Sequence, residues 1–125
     1  MEISELQRIY AKHPHVRSVA TQLENSSIRT IFLGGLHASA SALFFSSIVK
    51  DRSQTFVFIL GDVEEAGYFY HDLIQVNGDA DILFYPSSYR RAIKYGQKDA
   101  ANEILRTEVL SRLQKQDSLC IVTYP

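Results

Sequence analysis

The chain predicts an α/β domain built as a parallel sheet with flanking helices. Short apolar, β-branched runs alternate with segments of helical periodicity, the pattern of βαβ units. The run Phe32-Leu-Gly-Gly-Leu-His-Ala-Ser-Ala-Ser-Ala-Leu43 adds a second signal. It leads from an apolar strand through paired glycines into a helix opened by small residues, which is the layout of a phosphate-binding loop, G-x-x-x-x-G-K-[ST]. The third signal is what that loop lacks. Counted from Gly35, its last positions are Ala40, Ser41 and Ala42; counted from Gly34, they are Ser39, Ala40 and Ser41. Neither register supplies the lysine that meets β- and γ-phosphates.

Taken in order, Glu2–Ala11 and Val16–Leu23 read as short helices punctuated by Pro14. Thr30–Leu33 reads as a first strand and the stretch from about Ser39 to Val49 as a helix, with Ser39 and Ser41 placed to cap it. Apolar around most of its circumference, that helix is expected to be buried. Thr55-Phe-Val-Phe-Ile-Leu60 is a continuous apolar and aromatic run, suited to a central parallel strand covered on both faces. Asp62 is a plausible N-cap, with Glu65 at capping-box spacing, for a helix whose face carries Ala66, Phe69, Tyr70, Leu73 and Ile74. Asn77-Gly78 ends it. Asp81–Tyr85 is a further strand, stopped by Pro86. A long helix from about Asp99 to Gln116 follows, with Ala101, Ile104, Leu105, Val109 and Leu113 as its expected inward stripe, and Ser118–Thr123 is the last strand. This makes one domain: N-terminal helices over residues 1–24 and a parallel α/β core over 28–125. Because the last strand runs straight into Tyr124-Pro125, the chain reads as a piece of a longer protein, with apolar surface expected to lie open around Cys120–Tyr124 and to pair with a second copy.

Composition narrows the function classes. The chain has 125 residues, 46% apolar and 22% charged, with thirteen basic against fourteen acidic residues and a net charge of -1. The strongly basic footprint of an autonomous nucleic-acid-binding domain is absent. A single cysteine, Cys120 in an apolar run, rules out an internal disulfide or a multi-cysteine zinc site and reads as a buried thiol. Neither a signal peptide nor a membrane span is legible, so the expected location is cytoplasmic.

Few constellations carry chemistry. Phosphate binding at Gly34–Ala42 would use backbone N–H groups and the helix dipole, but with no lysine the transferred charge goes uncompensated. The plainer reading is close strand–helix approach. His13, His15, His37 and His71 match no metal spacing. Glu64-Glu65 suits a first helical turn, and neither it nor Asp79 with Asp81 forms an acidic magnesium motif. Tyr85, Tyr89, Arg90, Arg91, Lys94, Tyr95 and Lys98 form a basic and aromatic cluster. Such a cluster either stacks bases and meets phosphates or is a solvated loop and domain contact, and near-neutral charge favours the latter.

Several stretches together resemble the N-terminal, UvrB-like region of bacterial transcription-repair coupling factors, the Mfd family. They are Leu33–Ala42, Phe56–Leu60 with Ala66-Gly-Tyr-Phe-Tyr-His-Asp-Leu73, Ile82-Leu-Phe-Tyr-Pro86, and Arg106–Leu113 followed by Cys120-Ile-Val-Thr123. The resemblance spans roughly residues 15–125 and rests on order and spacing. It implies a RecA-like helicase half, comparable to UvrB's first helicase-like domain, whose phosphate loop has decayed at Gly35, Ala40, Ser41 and Ala42. It implies no catalysis and no cofactor here. UvrA and RNA polymerase would be partners of the whole protein, whose ATP-driven translocase is a separate domain, and UvrA would be met through a small domain inserted after this segment. This segment would be the scaffold for UvrA recruitment and for autoinhibitory packing, its platform being the helices Asp62–Val76 and Asp99–Gln116 and the sheet beneath. UvrB's DNA-clamping hairpin would emerge near Pro86, but residues 86–98 are too few to form it, so little direct nucleic-acid binding is expected. The alternatives are a stand-alone doubly wound P-loop-like binding module and a nucleotide-binding enzyme, whose mark would be the missing lysine.

Overall fold

The computed structural model describes residues 1–50, 52–87, 100–116 and 118–125. Its elements run α1 (Ile3–Ala11), α2 (Pro14–Leu23), α3 (Ala40–Val49), β1 (Phe56–Ile59), α4 (Val63–Asn77), β2 (Ile82–Tyr85), α5 (Ala100–Leu113) and β3 (Cys120–Thr123). The result is mixed α/β with a three-stranded parallel sheet in the order β1-β3-β2. Phe56, Cys120 and Ile82 share one row of the sheet, and Ile59, Thr123 and Tyr85 share another. Among the described residues no helix is long and apolar enough to cross a membrane.

Local chemistry explains the boundaries. Pro14 is the first residue of α2, where its missing N–H costs nothing, and the ring Nδ1 of His13 accepts from the His15 N–H at 3.2 Å. Asp62 caps α4 as expected, accepting from the Glu65 N–H at 2.8 Å. The Glu65 carboxylate reaches one residue further back than a standard box, to the Gly61 N–H at 3.1 Å. Gly78, at φ 80, closes α4 by donating its N–H to Ile74 at 2.7 Å.

Face one of the sheet carries the main core. Side chains alternate across a strand, so Phe56, Phe58, Ile82, Phe84, Cys120 and Val122 share this face. They pack with Ala42 and Val49 of α3 and with Ala66, Phe69 and Leu73 of α4. Phe58 joins the helices, its ring 5.3 Å from Phe45 and 5.0 Å from Phe69. The expected α4 stripe is therefore correct. As expected, α3 is buried on two sides, because Phe44 and Ile48 meet Val16 and Val19 of α2 in a second cluster. A buried polar residue holds α1: Gln7 donates to Asn77 Oδ1 at 2.8 Å and its carbonyl accepts from the Ser47 hydroxyl at 3.2 Å.

Four expectations are corrected. Thr30–Leu33 is not a strand of this sheet. Ile31 and Leu33 point into the α2–α3 cluster while Phe32 is 92% exposed, so strand-like alternation persists, but the burial comes from helices and not from a ladder. Phe56–Ile59 is an edge strand, not a central one, and Val57 and Ile59 remain 56% and 70% exposed. The central place belongs to β3, so Cys120, Ile121 and Val122 are buried, and the open apolar surface expected around Cys120–Tyr124 lies on β1 instead. The stripe expected on α5 is also wrong: of Ala101, Ile104, Leu105, Val109 and Leu113, only Val109 is buried. Asn102, Arg106, Val109 and Arg112 form the inward face. Arg106 lies 4.3 Å above the Tyr85 ring and donates to Pro86 O at 2.8 Å, while Arg112 meets Asp81 at 2.9 Å. Long cationic side chains bury their stems while their heads find oxygen partners, which a purely apolar periodicity count misses.

Candidate functional site

The loop before α3 was the leading candidate, and its geometry works against anion binding. Gly35 has φ 81, and Ala38 has φ 48, a conformation that few residues other than glycine adopt. The turn this creates folds the loop's carbonyls onto the start of the helix. His37 O accepts from the Ala40 N–H at 3.1 Å, and Ala38 O accepts from both the Ser41 N–H at 3.4 Å and the Ser41 hydroxyl at 3.0 Å. First-turn N–H groups that would cradle a phosphate are thus committed internally. Ser39 occupies the N-cap position but makes no side-chain cap bond, so the capping role expected of Ser39 and Ser41 is not fulfilled.

The structure divides the loop's residues among three environments. Gly34, Gly35 and Ala40 line a groove of about 620 Å³ whose opposite wall is α2. Its floor includes Val16, Val19, Leu33 and Phe44, and its rim carries His13, His15 and the exposed Phe32. Ser41, with Ala38 and Ser39, lines a cavity of about 480 Å³ at the carboxyl end of β1, facing Leu60, Glu65, Tyr68, Phe69 and Asp72. Ala42 is buried in the main core. Open α/β sheets take ligands outside the carboxyl ends of their strands, and here that position presents two carboxylates. A bound phosphate there would face like charge.

The remaining candidates scatter. His37 and His71 are exposed and stand apart from His13 and His15, whose rings pack edge to face at 5.1 Å. Among the described residues no three His, Cys, Asp or Glu side chains gather as a metal site requires. Glu64 and Glu65 lie in the first turn of α4, and Asp81 pairs with Arg112 at the opposite end of the sheet. Asp79 acts at a distance: burial chiefly, then Asp79 and Glu108, push the Tyr70 hydroxyl above its usual pKa. Tyr85 is engaged by Arg106, while Tyr89, Arg90, Arg91, Lys94, Tyr95 and Lys98 lie outside the described residues. Cys120 is a buried free thiol as expected, and burial with the nearby Asp81 raises its pKa to about 11, so it stays protonated near neutrality.

Sequence reasoning missed Tyr68 and Asp72. Their signal was present in the spacing: Glu65, Tyr68 and Asp72 fall at i, i+3 and i+7 and so share one face of α4. Comparison with protein-family models, with curated proteins and with solved structures found no match for this chain.

Proposed function

We propose that this chain is a non-catalytic scaffold domain of the transcription-repair coupling type: a RecA-like helicase half whose phosphate loop has decayed. One observation carries the reading. At the start of α3, where a working loop directs N–H groups and a lysine at phosphate, the N–H groups of Ala40 and Ser41 bond the loop's own carbonyls, and Glu65 and Asp72 line the adjoining cavity. The sequence resemblance supplies the context, with UvrA and RNA polymerase as partners of the whole protein and intramolecular packing as the role of this domain. Calorimetric titration with Mg-ATP tests the loop: the expected dissociation constant is weaker than about 1 mM, roughly 4 kcal/mol of binding, and micromolar binding or any turnover overturns the reading. A pull-down with purified UvrA tests the context. Residues 1–125 alone are expected to capture little, and a version extended through the following domain is expected to capture UvrA. Equal, tight capture by both moves the contact into this domain, and no capture by either rejects the repair assignment.

A further inference from the structure

The cavity at the carboxyl end of β1 has a chemistry of its own, independent of what the decayed loop once bound. Its floor is apolar, from Leu60, Phe69 and Ala38, and its wall is the α4 face that carries Glu65, Tyr68 and Asp72. At the 1.5 Å rise of a helix, Glu65 and Asp72 stand about 10 Å apart along the α4 axis with Tyr68 between them, and the Glu65 carboxylate also accepts from the Gly61 N–H at 3.1 Å. Tyr68 is 68% exposed although aromatic, and Asp72 has no ion-pair partner among the described residues. Residues 53–87 contain six acidic residues and no lysine or arginine, although the whole chain is balanced at -1. No lysine or arginine is among the described residues that line the cavity, so its two carboxylates set the sign of its charge. The positive end of the α3 dipole also faces the cavity, but it amounts to about half a charge against two carboxylates.

We propose that this cavity and the Glu65–Tyr68–Asp72 stripe form a docking site for a basic, arginine-bearing segment of a partner protein. Charge complementarity selects the occupant's sign, and the aromatic ring selects its shape. A guanidinium stacks flat on a tyrosine face while its edge donates to a carboxylate, whereas an ammonium does only the second. About 480 Å³ is within the roughly 300–1,000 Å³ usual for sites that enclose a ligand group. An acidic peptide or a nucleic acid would meet like charge here.

The test is fluorescence anisotropy with fluorescein-labelled hexa-arginine, hexalysine and hexaglutamate at low salt. Hexa-arginine is expected to bind with a Kd on the order of 10–100 µM, hexalysine several-fold more weakly and hexaglutamate not at all. The double variant Glu65→Gln/Asp72→Asn keeps the hydrogen-bonding shapes and is expected to weaken hexa-arginine binding by about tenfold. Tyr68→Ala, at an exposed position, is expected to weaken it by about threefold to tenfold. The variant Asp79→Asn/Glu108→Gln removes the same charge outside the cavity and is expected to change binding by less than about twofold. Equal weakening by the two double variants would show a general effect of net charge and overturn the site. So would an unchanged Kd in Tyr68→Ala, or no binding of hexa-arginine by the unaltered protein.

Discussion

The two faces of the sheet are built from one set of strands and are stabilised by different physics. On the first, Phe56, Phe58, Ile82, Phe84, Cys120 and Val122 meet α3 and α4 through aromatic and aliphatic packing. On the second, Leu83 and Ile121 meet Val109, and the rest of the inward face of α5 is Asn102 and two arginines whose heads bond Pro86 O and Asp81. Over β1 this second face is largely exposed, at Val57 and Ile59. The contrast shows that a continuous apolar strand run does not by itself report burial on both sides: Phe56-Val-Phe-Ile59 is equally apolar at every position, yet alternate residues are covered and open.

The largest break in that comparison comes from the centre of the first face. Leu73 is fully buried among α3, α4 and the sheet. Leu73→Ala is expected to lower stability by about 2–5 kcal/mol in urea denaturation, through lost transfer energy and a cavity. A loss under about 1 kcal/mol would mean that the first face is loosely packed. On the second face, Arg106→Ala is expected to cost about 1–3 kcal/mol, because it strips the Tyr85 ring and leaves Pro86 O without its charged donor. Arg106→Lys is expected to recover only part of this, since an ammonium lacks the planar stack. Full recovery by lysine would reduce the contact to simple charge.

Alkaline pH gives a smaller, directional test. The Cys120 thiol rises from about 9 to about 11 on folding, so in that interval the folded chain holds a proton that the unfolded chain has lost. This contribution to stability is flat below pH 9, falls as pH rises through the interval, and levels off above about 11. Urea midpoints across the range are expected to decline less steeply in Cys120→Ala than in the unaltered protein. Identical slopes would mean that the thiol is solvated and the first face is open at its edge. The smallest effect belongs to the exposed strand: Ile59→Thr is expected to stay within about 0.5 kcal/mol. A loss above about 1 kcal/mol would show that something covers β1 in solution, and concentration dependence of the midpoint would identify a second copy.

Much of the α4 region was legible because its signals are local. Asp62 caps through a neighbour three residues on, Gly78 supplies a positive φ that other residues resist, and Ala66, Phe69 and Leu73 recur at helical period. The absence of a lysine from the glycine loop was legible for the same reason, since it is a fact of composition. Thr30–Leu33 was misread because alternation specifies which side chains point inward, not what receives them. In α5 the inward face is polar, and apolar periodicity therefore pointed to the wrong side. The shared face of Glu65, Tyr68 and Asp72 was legible in their spacing, but the cavity it lines was hidden because Ser41 and Asp72 are brought together only when α3 and α4 pack side by side.

The sequence by itself determined the mixed α/β class, the α4 cap and terminator, the buried thiol and the absence of a lysine in the glycine loop, all through interactions spanning a few residues. Only the tertiary structure decided the strand order β1-β3-β2. Strand order depends on which edges meet across dozens of residues, and apolar runs of similar composition are interchangeable until they pair. That order put the last strand in the middle, exposed β1 at the edge and left a cavity, instead of an anion cradle, where α3, α4 and the end of β1 meet.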